Sequence, residues 1–477
     1  MKFTSKSILS LLLVVAMMLT FAACGEGKTN TDLGDDDGWD IAVSGNGSGG
    51  NVSDALGNLS TPTTSNNSIV QQVKDADSLS YNQLVAQMPK ELKGTTIHIY
   101  SWNPIKDVTG AQKVIDDFQK KTGIKVKWTQ GNYEQYETNI AAFINAGTAP
   151  DVMRYNCASP AKMYLCQDMR AATGYDFNGA IWDANIRKEY TIKNKLYGIN
   201  LQNTFNQQPW IVAYAKSTID RYNFEDPYTL WKEGKWTFDK MKEMCLEFKQ
   251  TTTRPAWMTS NHLDLVAFRG LSWIKFDGTK YTSNIKDPQI LKTLQEHTTM
   301  RQAQDIISTT MRDHATLEDG TYLFFTDNII GQRRTDFHYT TLKANNDLYC
   351  VPFPTQTGYT YYQPYHEAEA YGIIKGAKNP SAVYYYLRYY LNADNYDEDM
   401  FFTNAQALEV YKWCRSQKNV VFGCAGELTK AIGNQHGDLP STIRTGLTAE
   451  QVKNKLDEIE NVYVRAAQYG NDLIAKF

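Results

Sequence analysis

His366-Glu367-Ala-Glu369-Ala370 comes nearest in this chain to a catalytic motif. A zinc protease needs His-Glu-x-x-His, two histidines one helical turn apart. Here alanine stands in the last place and the second ligand is missing. The seven histidines are scattered without metal-ligand spacing. No Gly-x-Ser-x-Gly elbow offers a serine nucleophile. Two carboxylates can hydrolyse a glycosidic bond, but among 52 acidic residues pairs arise by chance and no local motif raises one. Gly45-Asn-Gly-Ser-Gly-Gly50 has the spacing of a dinucleotide loop, yet no strand pattern precedes it and no amphipathic helix follows. Asp35-Asp36-Asp37-Gly38 lacks the alternation and closing glutamate of a calcium loop. We therefore expect no catalytic residue, no metal and no cofactor.

Cys24 carries a different chemistry. Lys2 and Lys6 precede an almost unbroken apolar stretch from Ile8 to Ala23, which ends Phe21-Ala22-Ala23-Cys24. A basic start, an apolar stretch and small residues before a cut site make a signal peptide. The segment resembles a bacterial lipoprotein signal, whose cysteine is lipidated and becomes the new N-terminus. Phe21 departs from the usual Leu, Val or Ile. The expected location is therefore the extracellular face of a membrane, held by lipid on Cys24. Removal of residues 1–23 takes two positive charges and turns the net charge of −3 into −5. With no basic stripe, nucleic acid is not an expected partner. Cys157, Cys166, Cys245, Cys350, Cys414 and Cys424 remain. An exported location permits disulfides, but spacing leaves pairing and free buried thiols equally open.

Residues 24–68 are rich in Gly, Asn, Asp, Ser and Thr and read as a flexible tether. Helical spacing over 69–92 (Ile69, Val73, Leu79, Leu84, Val85, Met88) predicts a short helical lead-in. Then Thr95–Trp102 reads as a strand, Thr109–Lys121 as a helix ended by Gly123, and Ile124–Trp128 as a second strand. Tyr133–Ala146 reads as a second helix and Ala149–Met153 as a third strand. This order implies a parallel sheet with helical crossovers and a ligand beyond the strands' C-terminal ends. Further strands are expected at Ile211–Tyr214, Tyr322–Thr326 and Leu348–Phe353. Helices are expected at Thr237–Lys249, Ser381–Leu391 and Ala449–Ala475.

Six segments carry a family resemblance in order: Tyr100-Ser101-Trp102, Thr122-Gly-Ile-Lys-Val126, Ala141-Ala-Phe-Ile-Asn-Ala-Gly-Thr-Ala-Pro-Asp-Val152, Lys195-Leu-Tyr-Gly-Ile199, Trp236-Thr237-Phe238 and Gly372-Ile-Ile-Lys-Gly-Ala-Lys-Asn-Pro-Ser-Ala382. Over residues 93–477 the chain resembles the extracellular solute-binding proteins of sugar-type ABC importers, which are similar to maltose-binding protein. The resemblance implies an α/β fold of two lobes, each a central sheet flanked by helices, with the ligand cleft between them. Lobe 1 would be 93–205 plus 354–400, and lobe 2 would be 206–353 plus 401–477. The crossings between lobes would fall near Gln202–Gln208 and Cys350–Thr355.

A carbohydrate is the implied ligand and an ABC permease the implied membrane partner, with the receptor a monomer. A peptide or polyamine receptor, a secreted glycosidase and an adhesive lipoprotein are the alternatives. A sugar offers C–H faces and a hydroxyl rim, which suit flat aromatics with planar amides and carboxylates. The candidate ligand-binding residues are Trp102, Tyr155, Asn156, Trp210, Trp273, Asp327, Asn328, Tyr362 and Glu367, with Tyr359, Tyr361 and Tyr365 as further rim tyrosines. Asp151 is expected to fix its turn, and an Asx turn is the competing role for Asp327 and Asn328.

Overall fold

The structure, a computed structural model, describes residue 59 and residues 72–259, 264–308, 315–332, 338–355, 360–365, 367–422, 425–433 and 447–477. In chain order the elements that matter for the site begin with β1 (Thr96–Ser101), α1 (Ala111–Thr122), β2 (Lys125–Gln130), α2 (Tyr136–Asn145), β3 (Val152–Tyr155) and α3 (Pro160–Tyr164). There follow β4 (Trp210–Ala215), α4 (Phe238–Thr252), β5 (Trp257–Thr259), β6 (Phe324–Asn328), β7 (Leu348–Pro352), β8 (Gln363–Tyr365) and β9 (Ala370–Ile373). The last are α5 (Pro380–Tyr390), α6 (Ala405–Ser416), β10 (Val420–Phe422), α7 (Ala425–Ala431) and α8 (Ala449–Ala475).

Local sequence explains the first half. Ile97 and Ile99 alternate inward on β1. On α1, Val114, Ile115 and Phe118 recur at helical spacing and are buried, and Gly123 stops the helix at φ +73°, a conformation costly for any residue with a Cβ. β1 pairs in parallel with β2 and with β3, as the alternating strand–helix pattern requires. The fourth strand of the sheet, β9, arrives from more than 200 residues away and pairs antiparallel with β3, giving the order β9-β3-β1-β2. Gly372 permits this pairing. A Cβ there would stand 2.5 Å from the Tyr197 carbonyl oxygen and 2.6 Å from the Tyr155 ring.

Buried Asp151 ties distant parts together rather than fixing its own turn. Its carboxylate accepts from His98 N at 2.8 Å, Lys378 N at 2.7 Å and Asn379 N at 3.0 Å. It thereby joins β1 to the start of α5. The lead-in differs from the single helix anticipated. It is two 3-10 turns, Ala76–Ser78 and Lys90–Leu92, around one helix, Tyr81–Ala86. The Ser80 capping box and Pro89 divide the run. Val73, Ala76, Leu84, Met88 and Leu92 are buried in the first half's core. Asp77 accepts from Trp182 Nε1 and Tyr384 Oη, and Arg388 donates to the Ala76 and Leu79 carbonyls.

The second sheet has the order β7-β4-β6-β5, with β4 antiparallel to both neighbours and β5 parallel to β6. Helix α4 buries Met241, Met244, Cys245 and Phe248 on its flank. The two sheets, each flanked by helices, form the two-lobed α/β fold.

The chain passes between the lobes over 200–209. Its return lies later than the expected Cys350–Thr355. Cys350–Pro352 pair with β4, and Thr355 bridges Thr237. The strand-to-strand return is instead 363–371, which runs antiparallel to the first crossing through the bridges Pro209–Tyr365 and Ile199–Tyr371. Across the junction, Arg415 on α6 meets Asp183 at 2.5 Å. Helix α8 packs on the strand Tyr281–Ser283, on the helix Pro288–Gln302, on α7 and on α3. One core cluster therefore contains Tyr100, Tyr136 and Met153 together with Tyr281, Leu294, Leu428 and Tyr463. Cys157, Cys166, Cys245, Cys350 and Cys414 are free and buried; Cys424 lies outside the described residues. Among the described residues no helix is long and apolar enough to cross a membrane.

Candidate ligand-binding site

Strand ends position the site. β1 and β3 run parallel, so Trp102, just past β1, and Asn156, just past β3, emerge at the same edge of the first sheet. Antiparallel β9 enters at that edge and brings Glu367 and Glu369. Half-buried Trp102 has the Arg154 guanidinium 4.8 Å over its ring. Tyr133 and Tyr136 make edge contacts with it at 5.7 and 5.1 Å. Arg154 is held by Glu369 at 2.6 Å. Burial works against its charge, and Glu369, Tyr371 and Glu367 outweigh burial, so its pKa moves up.

Asn156, also buried, donates from Nδ2 to Tyr133 Oη at 3.1 Å and accepts from Lys162 Nζ at 2.5 Å. Lys162 lies on α3, whose start is set by Pro160 in the first turn. Its ammonium stands 3.4 Å from Glu137 and 3.4 Å from Glu427. Burial disfavours this charge, but Cys157, Glu427 and Glu137 together hold the lysine pKa well above its ordinary value. The Cys157 thiol itself is pushed up to about 12, chiefly by burial. Glu367 accepts from Gln208 Nε2 of the first crossing at 2.8 Å. Burial raises the Glu367 pKa, against the opposing pull of Arg154, Lys162 and Gln208.

This edge of the first sheet, the first-lobe half of the candidate site, thus gathers Trp102, Asn156 and Glu367 from the expected set. It adds Tyr133, Glu137, Arg154, Lys162, Gln208 and Glu427, which sequence reasoning missed. Ser159-Pro160 directly after a strand is a helix-start signal that would have placed α3 and Lys162. Nothing local marks Glu427, which reaches Lys162 from 265 positions away.

A second group lies where the second sheet meets the crossings. Trp210 opens β4 opposite Asn328 at the end of β6. Both are buried, and the Trp210 carbonyl accepts from Gln363 Nε2 at 3.1 Å. Asp327 is fully buried. One of its oxygens accepts from Tyr339 Oη at 2.9 Å and the other from Asn328 N at 2.8 Å, so it braces the turn. Half-buried Tyr362 packs over Gly270, where a Cβ would come within 2.5 Å of the ring. Half-buried Tyr361 donates to Gln363 Oε1 at 2.6 Å.

Three expected residues belong to the interior instead. Tyr155 is fully buried, packs on Tyr190 and donates to the Tyr197 carbonyl at 2.9 Å. Trp273 is buried against Tyr463. Tyr365 is buried and donates to the Cys414 carbonyl at 3.2 Å. Tyr359 and Cys24 lie outside the described residues. Among the described residues no group of three or more His, Cys, Asp and Glu is arranged to hold a metal ion.

Aromatic edges and faces beside amides and carboxylates suit non-covalent capture of a polar solute with apolar faces. A family model described as bacterial extracellular solute-binding protein matches residues 113–403. Comparison with curated proteins gives no match. Among solved structures, an ABC substrate-binding protein from Listeria monocytogenes in complex with cycloalternan is similar at 15% identity and TM-score 0.54, covering 77% of this chain and 98% of that one. The sugar-binding protein MalE from Xanthomonas citri is similar at 12% identity and TM-score 0.56, covering 80% and 98%. The galacto-N-biose-/lacto-N-biose I-binding protein of a Bifidobacterium longum ABC transporter, in complex with lacto-N-biose, is similar at 13% identity and TM-score 0.55, covering 79% and 99%. The family match spans well over half of the chain, and the chain belongs to the bacterial extracellular solute-binding proteins.

Proposed function

We propose that this protein is a receptor that captures a sugar or oligosaccharide outside the cell and delivers it to the membrane subunits of an ABC importer. The carrying observation is the edge of the first sheet, where Trp102 and Tyr133 stand beside Asn156 and Glu367 at the crossing between lobes. Aromatic rings cover C–H faces, and amide and carboxylate groups meet hydroxyls. The carbohydrate complexes of the similar structures support the same ligand class. Binding involves no covalent step. The ligand favours the closed arrangement of the lobes by as much as it binds that arrangement better. Lipid on Cys24 anchors the receptor, and residues 25–68 tether a monomeric body near the permease.

The test is a thermal-shift screen of the purified full chain against mono- and oligosaccharides, peptides and polyamines. A ligand that binds only the folded state raises the melting temperature. A saccharide hit is expected. A peptide or polyamine hit with no saccharide hit overturns the ligand class. For the anchor, Cys24→Ser releases the protein from the membrane fraction if Cys24 carries the lipid, and leaves it there if it does not.

A further inference from the structure

The charges around the site are unequal. Lys162 and Arg154 are its cations, and Glu137, Glu367, Glu369 and Glu427 are its carboxylates, two against four. Both cations are already answered by the protein. The Lys162 ammonium has three N–H donors and three oxygen partners, on Asn156, Glu137 and Glu427. Arg154 is paired with Glu369, and its guanidinium carbon stands 4.8 Å from the Trp102 ring centre; among the described residues one buried N–H, at Nε, has no acceptor.

The carboxylates are less fully used. Glu367 has Oε2 on Gln208, and Glu427 has Oε2 on Lys162. Neither has a further hydrogen bond or ion pair among the described residues. A separate observation points the same way. Gln207 in the first crossing is fully buried, and its amide nitrogen donates to the Glu369 carbonyl at 2.7 Å. Its Oε1 is buried, with no donor among the described residues. A buried acceptor without a donor is costly. Against the one unpaired N–H of Arg154 stand three unused acceptors, Oε1 of Gln207, of Glu367 and of Glu427, so acceptors outnumber donors, and hydroxyl groups supply donors where anionic groups do not.

We propose that this site takes uncharged saccharides and rejects those bearing carboxylate, sulfate or phosphate groups, with Glu367 and Glu427 as the specificity-determining residues. The inference rests on the carbohydrate-receptor reading. Like charges brought together in a desolvated site repel strongly, and the lysine and arginine that would offset them are occupied.

The experiment is titration calorimetry of the full chain with neutral tetrasaccharides (malto-, cello- and xylo-) and with trigalacturonate and tetraglucuronate. The expected result is binding of a neutral saccharide, with acidic ones weaker by about a hundredfold. In Glu367→Gln and in Glu427→Gln that ratio should fall by about tenfold or more, because each change removes one like charge. Lost neutral affinity in a variant does not mimic this result, since the readout is the ratio. An acidic saccharide bound as tightly as its neutral counterpart overturns the charge inference and leaves the receptor reading standing. An unchanged ratio in both variants overturns the role of the two glutamates. Absence of binding to saccharides of either kind overturns the receptor reading, and the inference with it.

Discussion

Breaking the Asp183–Arg415 pair should cost stability far out of proportion to two side chains. Arg415 sits on α6 against the second sheet, and Asp183 caps the helix Ala184–Glu189 in the first lobe. They meet at 2.5 Å with side chains only 8% and 1% exposed. Arg415 also donates to the Gln202 carbonyl in the first crossing. Removing one member strands the other charge in a site with little water, which costs about 3–5 kcal/mol.

The two single changes should differ. Arg415→Met leaves the Asp183 carboxylate with two backbone donors, Asn185 N at 2.9 Å and Ile186 N at 3.0 Å, so about 3 kcal/mol is expected. Asp183→Asn keeps an oxygen for the cap but leaves the guanidinium uncompensated, at about 4 kcal/mol. The double variant has no stranded charge and should cost about 2–3 kcal/mol, so the coupling is about 4–5 kcal/mol. Equilibrium urea denaturation of the full chain, followed by tryptophan fluorescence, measures all three. Single costs that simply add in the double variant, or that stay below about 1 kcal/mol, would refute the buried-pair reasoning, because water-exposed pairs behave that way.

Trp102→Ala should weaken binding of whichever saccharide the screen identifies by about 1–3 kcal/mol, as for other aromatic stacking platforms; unchanged affinity in a folded variant removes it from the site. Asp151→Ala should lower stability by roughly 3 kcal/mol or more, since three backbone N–H groups lose a charged acceptor, with denaturation as the check. Leu84→Ala should cost about 2–5 kcal/mol, because Leu84 is fully buried in the first-lobe core; a cost under 1 kcal/mol would mean the 72–92 segment is an appendage. Glu189 has its pKa raised by burial to about 7. The unfolded chain loses that proton first, near the ordinary carboxylate value, so the native state holds more protons between roughly pH 4.5 and 7 and stability falls as pH rises through that window. Glu189→Gln should therefore stabilise by about 2–3 kcal/mol at pH 8 and by little at pH 4; equal effects at both would exclude the titration.

Much of the body was readable because its signals are local. The apolar face of α1 and its Gly123 stop and the parallel pairing of β1 with β2 and β3 follow from spacing within some 60 residues. Trp102, Asn156 and Glu367 stand out in the sequence as polar or aromatic residues near strand ends, and the structure brings them to one edge of the first sheet. The same rule misplaced Tyr155: a strand end points one residue into the cleft and the next into the core, and Tyr155 points inward to the Tyr197 carbonyl. Aromatic type did not separate Trp273 from Trp102, since a ring suits a core and a ligand equally well.

By itself the sequence determined the order of strands and helices in the first lobe and the family, because each rests on neighbouring residues. Tertiary structure decided what joins distant ones. It seated β9 beside β3, drew the second crossing past Thr355, and built the lead-in into the first core. It also carried Glu427 to Lys162. Those contacts depend on loop closures over hundreds of residues and on shape complementarity in the closed core, which no local periodicity records.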